Sequence, residues 1–150
     1  MVKMNPIEIL MADDDKDDQL LTKKALEKSR LINNLHFVDD GVHLVDYLYH
    51  RNGYEEKNRF PRPDLILLDL NMPRMDGREA LRIIKNDESL KRIPVIILTT
   101  SQEDKEILNS YDLGANSYIT KPVDFSNFLD AMAVLSEYWI SIVKLPPHEG

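Results

Sequence analysis

Five carboxylates, Asp13, Asp14, Asp15, Asp17 and Asp18, crowd into six consecutive positions, and a sixth, Asp69, ends the apolar run that begins at Leu65. Two carboxylates about 4 Å apart repel by about 4 kcal/mol at an effective dielectric of about 20, so Asp13, Asp14 and Asp69 brought together call for a cation. Oxygen ligands in an open, hydrated site suit Mg²⁺, with Mn²⁺ able to replace it. Thr99 and Lys121 close two further apolar runs and add a hydroxyl and an ammonium. Such a set is suited to phosphoryl transfer onto a carboxylate. Asp69 would be the nucleophile and would become an acyl phosphate, the cation and Lys121 would offset the arriving charge, and Thr99 would donate a hydrogen bond to a phosphoryl oxygen. Each residue alone is explained as well by an ordinary polar strand end; the joint placement is what points to chemistry.

That placement depends on a parallel sheet. Ile7 to Ala12 reads as a buried first strand, Leu35 to Val38 as a second, the run from Leu65 into Asp69 as a third, Val95 to Leu98 as a fourth and Ser117 to Ile119 as a fifth. Helical spacing alternates with them. Asp17 to Ser29 presents Leu20, Leu21, Ala25 and Leu26, with Asp17 and Asp18 suiting the helix N-terminus, and a second helix after Asp39-Asp40-Gly41 bears Val42, Val45, Leu48 and Tyr49. Asp76 with Glu79 caps a third helix facing Ala80, Leu81 and Ile84 inward, and Ser101 with Asp104 caps a fourth carrying Ile107, Leu108 and Tyr111 and ending at Gly114. The last helix runs from Asp124 to Val143 with two adjacent apolar stripes, one including Phe128 and Trp139, and the extra width suggests a partner surface with Trp139 as an anchor. Residues 50–63 lose all periodicity and form a long loop of functional or mobile character.

Five strands alternating with five helices imply right-handed crossovers: an α/β, doubly wound five-stranded parallel sheet in a single domain spanning 1–150, with its core at about 7–143 and a frayed tail at 144–150. In such sheets ligands sit beyond the carboxyl ends of the strands, where Asp13-Asp14, Asp69, Thr99 and Lys121 all fall.

A length of 150 residues suits one self-sufficient core. The formal charge of −7 argues against a phosphate-neutralising surface, and so against direct nucleic-acid binding. Cysteine is absent, which rules out disulfides and thiolate metal sites. No secretory leader or membrane-length apolar stretch is visible, so the cytoplasm is the expected compartment. The histidines His36, His43, His50 and His148 show no metal spacing, and His43 and His50 are expected to be exposed polar positions.

The ordered set of Asp13-Asp14, LLDLNMPRMDG around Asp69, LTTS with Thr99 and TKP with Lys121 resembles the receiver domain of two-component response regulators, the CheY-like, flavodoxin-like fold. The resemblance runs from about Ile7 to about Val143. It implies a signalling phosphoacceptor rather than an enzyme with a substrate of its own, phosphorylated on Asp69 by a histidine kinase or phosphotransfer protein and catalysing its own phosphorylation and dephosphorylation. It further implies Mg²⁺ held directly by Asp14 and Asp69, by Asp13 largely through water, and by the main-chain carbonyl of Asn71. Thr99 and Tyr118 are then the switch pair, altering the face of the fourth helix, fifth strand and fifth helix for a downstream protein. Lys121-Pro122 matches the family's cis peptide, and Thr100 stands where the family controls access to the phosphorylated residue. The 50–63 loop and the YWISIVKLP ending are similar to small stand-alone regulators that partner phytochrome-type histidine kinases, a group associated with homodimers through the last helix.

Three other readings compete. A phosphatase or phosphotransferase of haloacid-dehalogenase type also uses an aspartate nucleophile after a strand, but its second aspartate, two residues on, is Asn71 here. An EF-hand starting at Asp13 fails, with Asp18 at the glycine position and Lys24 at the terminal glutamate. The third is a pseudo-receiver that binds partners without being phosphorylated.

Overall fold

Alternate residues of the strands divide between two cores, one on each face of a five-stranded parallel sheet. The computed structural model describes residues 6–28, 33–99, 114–124, 126–128 and 130. In chain order these form β1 (Ile7–Ala12), α1 (Lys16–Glu27), β2 (Asn33–Val38), α2 (Gly41–Tyr49), β3 (Leu65–Asp69), α3 (Gly77–Asn86), β4 (Val95–Thr99) and β5 (Ser117–Thr120). The sheet order is β2-β1-β3-β4-β5 with every pairing parallel. Leu10, Ala12, Ile66, Leu68, Val95 and Ile97 pack on one face with α2 and α3. Ile9, Met11, Leu65, Leu67, Ile96, Leu98 and Ile119 pack on the other, with Leu26 of α1 and Phe128. Burial on both faces is why β1, β3 and β4 read as nearly unbroken apolar runs.

The helices start where the sequence supplies caps. Asp15 accepts from the amides of Asp17 and Asp18, Asp40 from that of His43, and Asp76 from that of Glu79. Ala80, Leu81 and Ile84 of α3 are buried as their spacing predicts. The phases of α1 and α2 differ from expectation. On α1 the buried positions are Gln19, Thr22, Ala25 and Leu26, while Leu20 and Leu21 are 51% and 42% exposed. The polar Gln19 takes an inward place because its amide donates to the Asp13 carbonyl at 2.7 Å and to Asp39 at 3.1 Å. On α2, Leu44, Val45, Tyr47 and Leu48 point inward, and Tyr49 is exposed with its hydroxyl on Asp87. β2 begins at Asn33 rather than Leu35, because pairing of Ile7 with Asn33 and of Glu8 with Asn34 extends the backbone ladder beyond the apolar residues.

The irregular segment after α2 is held down by aromatic packing. Tyr54 and Phe60 meet edge to face at 4.9 Å, both pack on Tyr47, and the Tyr47 hydroxyl donates to the Pro61 carbonyl at 2.9 Å. His43 and His50 belong to this cluster instead of standing free in solvent: His43 pairs with the Tyr54 hydroxyl at 2.9 Å and His50 with the Phe60 carbonyl at 2.8 Å. The expected fourth helix and nearly all of the expected last helix, including Trp139 and the two apolar stripes, lie outside the described residues, although 126–128 and 130 are helical and Asp124 accepts from the Asn127 amide. Among the described residues no helix is long and apolar enough to cross a membrane.

Two glycines fix the loop between β3 and α3. A Cβ on Gly41 would lie 2.1 Å from the Met75 carbonyl oxygen, and one on Gly77 would lie 2.3 Å from that of Asp69. Gly41→Ala is therefore expected to lower the urea midpoint with an unchanged slope, at a cost of about 1–3 kcal/mol. A shift no larger than that of an exposed surface Ala substitution would show that the loop yields freely.

Candidate functional site

Asp13, Asp69 and Lys121 each continue the inward register of their strands on the α1 side of the sheet. Ile9 and Met11 precede Asp13, Leu65 and Leu67 precede Asp69, and Ile119 precedes Lys121, all at steps of two. Pairing of Ala12 with Leu68 sets Asp13 beside Asp69 across neighbouring strand ends. Lys121 follows β5, which is separated from β3 by β4, so its stem must span roughly 10 Å of sheet. It does so: Lys121 Nζ lies 3.0 Å from Asp69 Oδ2, 3.0 Å from Asp13 Oδ2 and 2.9 Å from Asp18 Oδ2.

Asp18 is the residue that the sequence reading placed only at a helix N-terminus. A signal for it was present, since Asp18 lies four positions after Asp14 and so one helical turn further along the face that leaves β1. Asp14 itself is exposed, whereas Asp13 is fully buried and Asp69 nearly so. Asp13, Asp14 and Asp69 each offer a carboxylate oxygen within 4.8 Å of the others. The Asp15 amide donates to Asp13 Oδ1 at 2.9 Å and the Asn71 amide to Asp69 Oδ1 at 3.1 Å, which orients both carboxylates. Gly77 brings the following loop against the Asp69 carbonyl, its amide donating to Leu70, and Arg74 holds a left-handed φ of 68° with its guanidinium 3.4 Å from Asp40.

The electrostatics follow from this crowding. Burial pushes Asp13 up to about 7, with the charge of Asp69 adding to the effect and the Asp15 amide and Lys121 opposing it. Burial also raises Asp69, against the Asn71 amide and Lys121. Burial alone would lower Lys121, but Asp18, Asp69 and Asp13 outweigh it and hold the ammonium above its ordinary value. Lys121 approaches Asp13 Oδ2 without hydrogen-bond alignment, so a fully buried carboxylate oxygen is left with an ionic contact alone. An all-oxygen donor set with one such orphan fits a divalent cation.

Thr99 ends β4 paired with Thr120, so its backbone stands at the same edge of the sheet. Its side chain and Thr100 lie outside the described residues. Tyr118 is on β5, 43% exposed, opposite Ile97 of β4. The Lys121-Pro122 peptide is cis.

A β2-β1-β3-β4-β5 sheet with an acidic, lysine-bridged pocket beyond its carboxyl edge defines a class: doubly wound domains that hold a cation beside a strand-end aspartate. The chain belongs to the response regulator receiver domain family, which matches residues 9–133. It is 38% identical over 141 residues, 94% of each chain, to the response regulator Rcp1 of Synechocystis sp. (strain ATCC 27184 / PCC 6803 / Kazusa). Among solved structures it resembles the phosphorylated cyanobacterial phytochrome response regulator RcpA, with a TM-score of 0.76 and 40% identity over 96% of this chain and all of that one. It also resembles the Mn²⁺-bound form of Rcp1, with a TM-score of 0.74 and 38% identity over 94% and 99% of the two chains. Family membership decides against the haloacid-dehalogenase alternative, and Asp13, Asp14 and Asp69 fit the divalent-metal site of a receiver domain.

Proton and metal compete for this cluster. Folding raises Asp13 from 3.8 to about 7, so between those values the folded protein holds more protons than the unfolded chain, and the metal-free protein loses stability as pH rises through about 7. A divalent ion favours the deprotonated carboxylates. The upward shift in Tm given by saturating Mg²⁺ is expected to grow from about pH 6 to about pH 8. A shift that stays level across this range in a thermal melt would place the ion elsewhere.

Proposed function

We propose that this chain is a phosphoacceptor of a two-component pathway, phosphorylated on Asp69 in a Mg²⁺-dependent reaction by a histidine kinase of phytochrome type or by a phosphotransfer protein. The observation that carries the reading is the position of Asp69: a strand-end carboxylate, nearly buried, 3.0 Å from an ammonium and within one small cluster with Asp13 and Asp14. Similarity to a phosphorylated cyanobacterial phytochrome response regulator supports the choice of kinase, and the Mn²⁺-bound form of Rcp1 supports the choice of metal.

In the transfer, an Asp69 carboxylate oxygen attacks the phosphorus of a phosphohistidine, the P–N bond breaks, and the imidazole leaves and takes up a proton from water. When bound, the divalent ion supplies charge neutralisation to the transferring group. Asp13, Asp14, Asp69 and the main-chain carbonyl of Asn71 are its ligands in this reading. Lys121 shifts its hydrogen bond from Asp69 to a phosphoryl oxygen, trading one anionic partner for another. Thr99 donates its hydroxyl to a second oxygen, and Thr100 sets how readily water reaches the acyl phosphate. The rearrangement of Thr99 and Tyr118 then biases two packings of β5 and its neighbouring helices, the surface read by a downstream protein. The same residues make the protein a catalyst of its own phosphorylation and dephosphorylation. The wide apolar surface expected of the last helix supports a homodimer, working in the cytoplasm without direct contact to nucleic acid.

With acetyl phosphate and Mg²⁺ as donor, Asp69→Asn is expected to abolish acid-labile phosphorylation of the purified protein. Labelling that persists would move the acceptor to another residue, and no labelling of the wild type would favour the pseudo-receiver. Lys121→Ala is expected to keep accepting phosphate while losing the phosphorylation-dependent change in partner binding, measured by pull-down of a kinase-linked target or by light scattering. Loss of labelling itself would assign Lys121 to the chemistry rather than to the response.

A further inference from the structure

Lys121 has three carboxylate neighbours at almost equal distance, and they are not equivalent. Asp13 and Asp69 belong to the cluster that fits a divalent ion; Asp18 does not. A cation held between Asp13, Asp14 and Asp69 repels an ammonium resting on two of the same groups, so metal binding must loosen Lys121 from Asp13 and Asp69. The ammonium is mostly buried, and retreating into the sheet would leave it without a counter-ion. Asp18 supplies one. It stands in the first turn of α1, where the Asp15 cap fixes the local backbone, and its Oδ2 is 2.9 Å from Lys121 Nζ.

We propose that Asp18 is a positioning residue that keeps hold of Lys121 while the metal takes over Asp13 and Asp69. The inference rests on reading the acidic cluster as a metal site and adds a role for a carboxylate outside that cluster. Asp18 thereby lowers the cost of admitting the ion, because the displaced ammonium keeps a carboxylate partner outside the cluster. The side chain acts through Lys121, so its effect must vanish when Lys121 is gone. A carboxylate that merely added negative potential would act with or without the lysine.

A double-mutant cycle separates the two. Mn²⁺ affinity is measured by electron paramagnetic resonance, at fixed ionic strength, for the wild-type full chain, Asp18→Asn, Lys121→Ala and the double variant, each checked for an intact fold by its far-UV spectrum. Asp18→Asn is expected to weaken Mn²⁺ binding about three- to tenfold, and to change it less than about twofold in the Lys121→Ala background. Asp18→Glu, which keeps the charge on a longer arm, is expected to recover most of the lost affinity and serves as the readout should the Asn variant fold poorly. Equal losses in both backgrounds, or no loss in either, overturn the proposal while leaving the metal site standing. Wild-type protein without Mn²⁺ affinity overturns both.

Discussion

One ammonium shared by three carboxylates, with a fourth at the edge of the same cluster, is the interaction on which this molecule turns. Asp13, Asp14, Asp18 and Asp69 repel one another at such close quarters, and burial makes two of them still harder to ionise. The fold holds them together regardless: Asp69 ends β3, Asp13 and Asp14 follow directly on β1, and Asp18 stands in the first turn of α1, and the side chains of those strands fill both cores. The hydrophobic burial of β1 and β3 thus maintains a charge distribution that water alone would disperse. A divalent ion relieves that stress, which is why a site so unfavourable when bare is well suited to admit one.

Small local devices convert the sheet register into a site. The first turn of α1 does three jobs in five residues: Asp15 caps the helix, Asp18 meets Lys121, and Gln19 ties the Asp13 carbonyl to Asp39. Across the pocket, Gly77 allows the chain to fold back against the Asp69 carbonyl, and Gly41 receives the same loop at the start of α2. Both glycines are there for closeness rather than for an unusual backbone angle. Any side chain at either position would push the loop away from the carboxylate it frames.

The sequence disclosed most readily what repeats. Apolar runs bounded by charged or turn residues marked β1, β3 and β4, and period-3.6 spacing with a capping aspartate marked α3. The two helix phases were misjudged where a polar side chain had tertiary work to do. Gln19 faces inward because the Asp13 carbonyl waits there, and Tyr47 faces inward because Tyr54 and Phe60 return to it from a segment without periodicity. The same long-range returns account for His43 and His50, whose partners lie ten or so residues away along an irregular path. Asp69, Asp13 and Lys121 were legible because parallel strands bring their carboxyl ends to one edge as a matter of topology. Asp18 was legible only as a helical neighbour of Asp14, because its contact with a lysine rooted at the far edge of the sheet depends on the length and direction of that side chain.

The direction in which such a site can transmit change follows from where its lysine is rooted. β1 and β3 have a neighbour on each side, whereas among the described residues β5 hydrogen-bonds within the sheet to β4 alone. Strands with one ladder open at lower free energy than those with two. Any redistribution of charge around Asp69 acts on Lys121 and so on this edge strand, while Asp13 and Asp69 are rooted at the ends of strands with a ladder on each side. Tyr118 is three residues before Lys121, so the two alternate to opposite faces of β5. A shift of the strand that follows the ammonium is therefore expressed on the other face, at an aromatic ring already 43% exposed. The central strands hold the buried carboxylates, and the edge strand carries the lysine that pairs with them.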